Sequence, residues 1–446
     1  MFASMTFDEL RAAISGPVLE RDDAGFEEEV SGFNLAVQQR PEVVVGVAST
    51  DDVVAAVRFA REHHLPVRVQ ATGHGVHHAI TDGLLVSTRR LDSVSIDESS
   101  RIATIQAGTR WAAVISAADP HGLAPVTGSS TNVGVVGYLL GGGLGPLGRS
   151  HGFSSDYVRG YTVVTPTAEV VHASADDNAD LFWALRGGKT GLGVVTEAQV
   201  ELIPLPELYA GSLAFEGAAI EPAIRAWETF TRTAPDDVTT SVALFHFPPI
   251  DLIPEVFRGK DILMVRFARP GDAATGEQIA APLRDAAPTL MDNLGSMARA
   301  DVGLIHNDPA EPGPGWSRGA MLKGIDEEFL TVLLGQVGPG VRTPIMITEI
   351  RHLGARTAVQ PDAGDSVGGR GAEFVVSMIG APDPSLFADV LPSATDRLLE
   401  AIGPWLSPEI NANFGDDASG QTWPGEVGRR LAAIRRAGDP DGIFVS

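Results

Sequence analysis

The sequence predicts an α+β protein of two domains, and three observations carry that reading. The chain has 446 residues with 44% hydrophobic side chains, more than one ordinary core accommodates. Residues 42–47, 50–64 and 67–69 read as a β-α-β opening. The later β-type runs 161–165 and 169–173 are instead joined as a hairpin, which breaks a doubly wound pattern. Beyond Pro204 and Pro206 the glycine clusters thin out, and longer helices alternate with strands. The expected division is 1–205, then 206–406 as an antiparallel sheet backed by helices, then a turn-rich tail, 407–446, that returns to the first domain.

Element by element, a short capped helix near Thr6 precedes the strand at 42–47. Ser49-Thr50-Asp51-Asp52 supplies an N-cap and first-turn acids for a helix to about His64, whose inward face is Val54, Val57, Phe59 and Ala60. Pro66 ends it. Strands follow at 67–69, 84–87, 93–96 and 102–107, then a helix at 111–118. After the hairpin come a helix at 179–186 and a strand at 193–201. In the second region helices are expected at 221–233, 273–286, 327–335 and 384–401, with strands such as 263–267, 346–351 and 374–379 between them. The tail holds one helix, 426–436.

Thirty-three basic against 57 acidic side chains give a formal charge of −24, which repels a nucleic-acid backbone or an anionic membrane. A small anionic cofactor remains possible, because backbone N–H groups can hold a diphosphate without lysine or arginine. With no cysteine, disulfides, thiolate metal sites and cysteine nucleophiles are excluded. Asp8 and Glu9 interrupt the N-terminus too early for a signal peptide, so a cytoplasmic location is expected. The most apolar long stretch, 133–148, contains seven glycines and a proline and cannot span a bilayer.

Two stretches carry the chemistry. Residues 67–75 run from a strand into Ala71-Thr72-Gly73-His74-Gly75, where small residues allow close backbone approach and one imidazole sits at the tip. The second is the segment 128–148. Val133, Val135, Tyr138, Leu139 and Leu140 between its glycines imply close packing against a flat ligand rather than a flexible linker. Gly143-Leu-Gly-Pro-Leu-Gly148 matches G-x-G-x-x-G but has a proline inside it and a hairpin after it, so it is not a dinucleotide turn. Gly188-Lys189-Thr190 mimics the end of a P-loop, yet Trp183 stands where that motif needs glycine. His74, His77 and His78 suggest a metal, but Gly73 and Gly75 argue against the helix that would align them, and no metal is assigned.

These loops, taken together, resemble the FAD-linked oxidases of the vanillyl-alcohol oxidase/para-cresol methylhydroxylase (PCMH) superfamily, in the berberine-bridge-enzyme-like and 6-hydroxynicotine-oxidase-like branch. The likeness continues in order through 82–91, 105–111, 149–156, 180–188, 193–196, 348–354, 411–414 and 439–444. It implies a PCMH-type FAD-binding fold, with the substrate bound by 206–406. In the family, the histidine at the position of His74 bonds the flavin 8α-methyl group, so covalent FAD is expected. The implied cofactor contacts are Ala71, Thr72, Gly73, His74, Gly75 and His78 in the first loop. In the second they are Gly128, Ser129, Ser130, Thr131, Val133, Gly134, Val135, Gly137, Gly142, Gly143 and Gly145, joined by Val195 at the adenine and Asn413 from the tail.

Three positions depart from the family pattern. Ser130 replaces the cysteine of bicovalent members, Asn411 replaces a tyrosine proposed as catalytic base, and Lys189 interrupts a glycine segment. With that tyrosine absent, Glu349 and Tyr138 become the catalytic candidates. Glu349 shares a strand face with Arg351, and a desolvated carboxylate there would have its pKa raised toward neutrality; a plain ion pair with Arg351 is the alternative. The resemblance implies oxidation of a bulky natural-product alcohol, amine or phenol by hydride transfer to flavin N5, with dioxygen as acceptor. The expected partners are that substrate and dioxygen, in a monomer or homodimer. A non-catalytic ligand carrier of the same fold, or a non-haem metal oxygenase, are the competing readings.

Overall fold

The structure, a computed structural model, describes residues 7–251, 253–415 and 423–444. Thr6, expected to cap the first helix, lies outside the described residues; that helix is Asp8–Ala13. Val43–Gly46, helix Thr50–His63 and Val67–Gln70 form the β-α-β opening, with Leu84–Ser87 inserted between the two strands and parallel to both. The Asp52 N–H donates to the Ser49 hydroxyl at 3.1 Å, the cap that the sequence specified. Ser49→Ala is expected to lower the unfolding free energy by about 1 kcal/mol, read from a urea midpoint.

A second, antiparallel sheet orders Val94–Asp97, Ile102–Gln106, Val194–Glu201, Val158–Val164 and Val170–Ser174. Its last two strands are the expected hairpin. These two sheets share one core, from Phe7 through Trp111 and Tyr161 to Ala210, which the tail joins through Leu431 and Ile443. Helix Gly425–Gly438 packs on Ala179–Leu185, and Val67 N–H donates to Ile443 C=O at 2.7 Å.

The third sheet is antiparallel, and Leu208–Glu216, Asp261–Pro270, Thr239–His246, Ile345–His352, Phe374–Gly380 and Ser317–Leu322 run in that order across it. One face packs under helices Ile220–Thr231, Ala273–Arg284, Glu327–Val337 and Val390–Ala401, around Trp227, Phe267, Phe329 and Phe374. The expected helix at 384–401 is therefore shorter. Pro384–Leu386 forms a separate 3₁₀ turn, and the long helix starts at Val390. The other face turns toward the glycine-rich segment through Leu144, Phe153, Met321, Leu353, Val367 and Val375, with Phe414 at the edge. This α+β architecture places a sheet face opposite the glycine-rich segment.

Candidate active site

The loop after Val67–Gln70 is held tightly. Gly73 has φ +69°, and a Cβ there would lie 2.6 Å from Gly32 Cα, so only glycine fits. The Phe33 N–H donates to Thr72 C=O at 2.8 Å, and the Phe33 ring stacks on His74 with centroids 3.8 Å apart. Thr72 Oγ1 accepts the Gly134 N–H at 3.3 Å and lies 2.9 Å from His74 Nδ1, tying the two glycine-rich loops together. That leaves His74 Nε2 buried without a hydrogen bond. Burial, reinforced by the Arg110 charge, pushes the imidazole down to about 4. At neutral pH the imidazole is uncharged. His78 and Gly75 lie exposed at the outer end of this loop, while Ala71 is half-buried within it.

The second stretch differs from expectation. Instead of continuous loop backbone it holds a helical turn and a half, Val135–Leu140, followed by Gly148–His151. Apolar residues between the glycines were close-packed as expected, but the packing is helical and much of it is internal. A Cβ on Gly145 would fall 1.7 Å from Thr127 C=O, and one on Gly128 or Gly143 would strike the Tyr138 ring. Gly142, with φ +100°, is closed off by Val367. The protein's own packing already demands these glycines. Gly137 is the open one, exposed on its helix with nothing within 4 Å of a Cβ. Ser129, Ser130, Thr131 and Val133 form the half-buried approach to that helix, whose first residue, Val135, is buried. Val195 is buried opposite Val163 in the second sheet, beside a bulge.

Tyr138 lies between Gly128 and Gly143, its hydroxyl buried and without a hydrogen-bond partner. Burial raises its pKa, and the nearby Arg351 opposes the rise. The tail closes over this point: Asn413 Nδ2 donates to Tyr138 C=O at 2.9 Å, and Asn411 Nδ2 to Gly368 C=O at 3.0 Å. Asn411 is thus a buried brace. Lys189 Nζ donates to Ala412 C=O at 2.8 Å, clamping the same segment.

Across from Tyr138, the third sheet carries a buried charge cluster. Glu349 Oε1 accepts from Arg266 Nη1 at 2.5 Å and from Ser241 Oγ at 3.2 Å; Glu349 Oε2 accepts from Arg351 Nε at 2.8 Å. His306 Nε2 stands 3.4 Å from Oε1. Burial alone would push Glu349 up, but Arg351, Arg266 and His306 outweigh it and hold the carboxyl well below its usual range. The expected rise toward neutrality is therefore corrected: the desolvation is present, and two guanidiniums reverse its effect. The ion-pair alternative was the better reading, although the pair is buried rather than solvated. Burial also depresses His306 to about 4 and His352 to about 3, with Arg266 and Arg149 respectively contributing.

Arg266, His306 and Phe33 were not anticipated. Arg266 had a signal, a single cation inside the apolar run Ile262-Leu-Met-Val-Arg-Phe267; His306, at the end of a 3₁₀ turn, had none. Among the described residues no three His, Asp or Glu side chains converge as a metal would require, and no helix is long and apolar enough to cross a membrane. The free Nε2 of His74, the tightly packed loop beneath it and the open Gly137 fit a flat, anchored dinucleotide cofactor.

Residues 41–174 match the FAD binding domain family. Over 212 residues the chain is 35% identical to the (R)-6-hydroxynicotine oxidase of Paenarthrobacter nicotinovorans, covering 47% of this chain and 46% of that protein. Over 194 residues it is 34% identical to the glucooligosaccharide oxidase of Sarocladium strictum, covering 42% of this chain and 39% of that one. The chain thus spans about half the length, or less, of these curated relatives. The solved structure of BBE-like 1 from Physcomitrella patens superimposes with a TM-score of 0.84 over 99% of this chain and 98% of that one, at 15% identity. Residues 41–174 thus carry an FAD binding domain, and the chain as a whole has the fold of these PCMH-type, berberine-bridge-enzyme-like structures.

Proposed function

We propose that this protein is an FAD-dependent oxidase of a bulky natural-product alcohol, amine or phenol, with its flavin bonded covalently to His74 alone. The observation that carries the reading is His74 itself: a neutral, buried imidazole whose Nδ1 is engaged by Thr72 and whose Nε2 is unpartnered. Ser130 offers no thiol for a second link. The remaining loop residues from 71 to 78 and 128 to 145, with Val195 and Asn413, would surround the cofactor. Bound FAD supplies a two-electron acceptor for a substrate C–H bond, with dioxygen as final acceptor and hydrogen peroxide as product.

The chain's own residues orient the substrate and exclude water. The partition into two cores supports residues 1–205 with the tail from 407 as the FAD domain and 206–406 as the substrate domain. Tyr138, its hydroxyl buried and unpaired, feels the charge of Arg351 from the third sheet, and Glu349 is an ionised carboxylate that fixes Arg266 and Arg351. Held this far below neutrality, Glu349 acts as a positioning residue for those guanidiniums. The purified protein should be yellow and should release hydrogen peroxide with at least one compound in a panel of alcohols, amines and phenols. A flavin that no such compound reduces would favour the ligand carrier.

A further inference from the structure

Residues 32–35 lie between the His74 loop and the loop that leads into strand Ser317–Leu322 of the third sheet, and they bond to both. On the first side, the Phe33 N–H donates to Thr72 C=O at 2.8 Å and the Asn34 N–H to Gly73 C=O at 3.4 Å, while the Phe33 ring lies within 12° of parallel to the His74 imidazole. On the second, the Gly313 N–H donates to Phe33 C=O at 3.1 Å and the Leu35 N–H to Gly313 C=O at 3.0 Å, a short parallel bridge. Pro312 and Pro314 flank Gly313 and fix two φ angles of that loop, so it transmits position instead of absorbing it.

The Asn34 side chain joins the two sides. Its Nδ2 donates to Val76 C=O at 3.2 Å, just past the histidine, and to Gly315 C=O at 3.0 Å. Its Oδ1 accepts the Gly315 N–H at 2.9 Å and the Ala36 N–H at 3.1 Å. Both amide hydrogens and both oxygen lone pairs are used. Aspartate would lack the donors, and glutamine would carry the amide one bond too far. The contacts therefore run unbroken from the third sheet's loop through Asn34 and Phe33 to the imidazole, whose other constraints are Thr72 Oγ1 at Nδ1 and the packing of Gly73 on Gly32.

We infer that Phe33 and Asn34 are positioning residues for His74, and that they make its use as a flavin attachment point conditional on the docking of the third sheet. The inference rests on the covalent reading of His74 for its chemistry and on these contacts for its geometry. Attachment joins an imidazole nitrogen to the flavin 8α carbon. Each gives up one hydrogen as a proton, the electron pair passes into the flavin ring, and dioxygen takes up the pair and both protons as hydrogen peroxide. Such a bond forms at a useful rate only between atoms held in contact and in line, so the orientation of the ring sets the rate. Without the loop at 313–315 in place, Phe33 and Asn34 lose their outer support and the imidazole is no longer aimed. Cofactor then binds reversibly and stays unbonded, so the covalent link records that both halves of the chain have assembled.

The test uses the full-length chain, first free of flavin and labelled with ¹³C-histidine, with the His74 signal identified by its loss in His74→Gln. The buried wild-type ring should titrate near 4. Asn34→Ala, whose side chain bonds to Val76, Gly315 and Ala36 and not to His74, should raise that value by about one unit or more as water reaches the imidazole. Phe33→Leu should do the same and Phe33→Tyr should not, because the aromatic face is what covers the ring. On addition of FAD, acid-stable attachment should slow roughly ten- to hundredfold in Asn34→Ala and Phe33→Leu, while reversible FAD binding changes less than about twofold. Should Asn34→Ala fail to fold, Gly313→Pro takes its place, since it removes the hydrogen bond to Phe33 C=O from the far side. An unchanged His74 titration in the strap variant, or attachment at the wild-type rate, overturns the inference. Wild-type protein that holds FAD only reversibly fails the covalent reading instead, and the titration still decides whether Asn34 positions the ring.

Discussion

Acid precipitation of the wild-type protein is expected to leave its flavin in the pellet, and His74→Ala to release all of it into the supernatant. The effect is complete because His74 offers the one imidazole nitrogen in the loop that is buried, unpartnered and neutral, and Ser130 cannot substitute for it. A peptide containing residue 74 should carry the FAD mass. The pH dependence of attachment follows from the imidazole. Its folded pKa, about 4, lies below the ordinary 6.5, so the uncharged imidazole is present above 6.5 and persists as pH falls, until protonation near 4 removes it. Flavin incorporation by apoprotein should therefore hold steady from neutrality down to roughly pH 5. Incorporation that falls off near pH 6.5, or wild-type flavin in the supernatant, would sink the covalent assignment. The variant should still bind some flavin reversibly, because the packing of Gly73 on Gly32 and of Tyr138 on Gly143 does not depend on the imidazole.

Glu349→Gln is expected to be the most destabilising single change at the site. The carboxylate accepts from Arg266, Arg351 and Ser241 and is 5% exposed, so its removal leaves two buried guanidiniums facing each other. Breaking a buried pair by deleting one partner costs roughly 3–5 kcal/mol, far more than the pair contributes over an apolar replacement. Urea unfolding should show that loss as a lower midpoint with an unchanged slope. In a double-mutant cycle, Arg266→Gln with Glu349→Gln should cost less than the sum of the two single changes, because the second removes a charge that the first stranded. Additive losses would mean that the two groups are not coupled.

Much of the fold was legible because the local signals were strong and mutually consistent. Ser49-Thr50-Asp51-Asp52 marks the helix Thr50–His63 to within a residue, and the helix Trp111–Ala118 and the strand Leu84–Ser87 appear where expected. Strands Leu208–Glu216, Thr239–His246 and Ser317–Leu322 were not anticipated. Each pairs with a partner distant in sequence, and its stability comes from that pairing and from one-sided burial rather than from a turn beside it.

The site divides the same way. Loop 71–75 stood out in the sequence because a strand running into Thr72-Gly73-His74-Gly75 puts its candidate chemistry in nine consecutive residues, and local backbone geometry is enough to set the histidine at the tip. The ionisation of Glu349 could not. Alternation along Ile345–His352 determined that Glu349 and Arg351 share a face, but whether a desolvated carboxylate rises or falls depends on the net charge around it. Beside Arg351, that charge is set by Arg266 on the strand Asp261–Pro270, with His306 from a 3₁₀ turn as a further partner, brought to one point only by the tertiary fold. The residues were a property of the sequence. The sign of the pKa shift was a property of the tertiary structure, because electrostatic energy depends on distance in space and the chain order does not encode it.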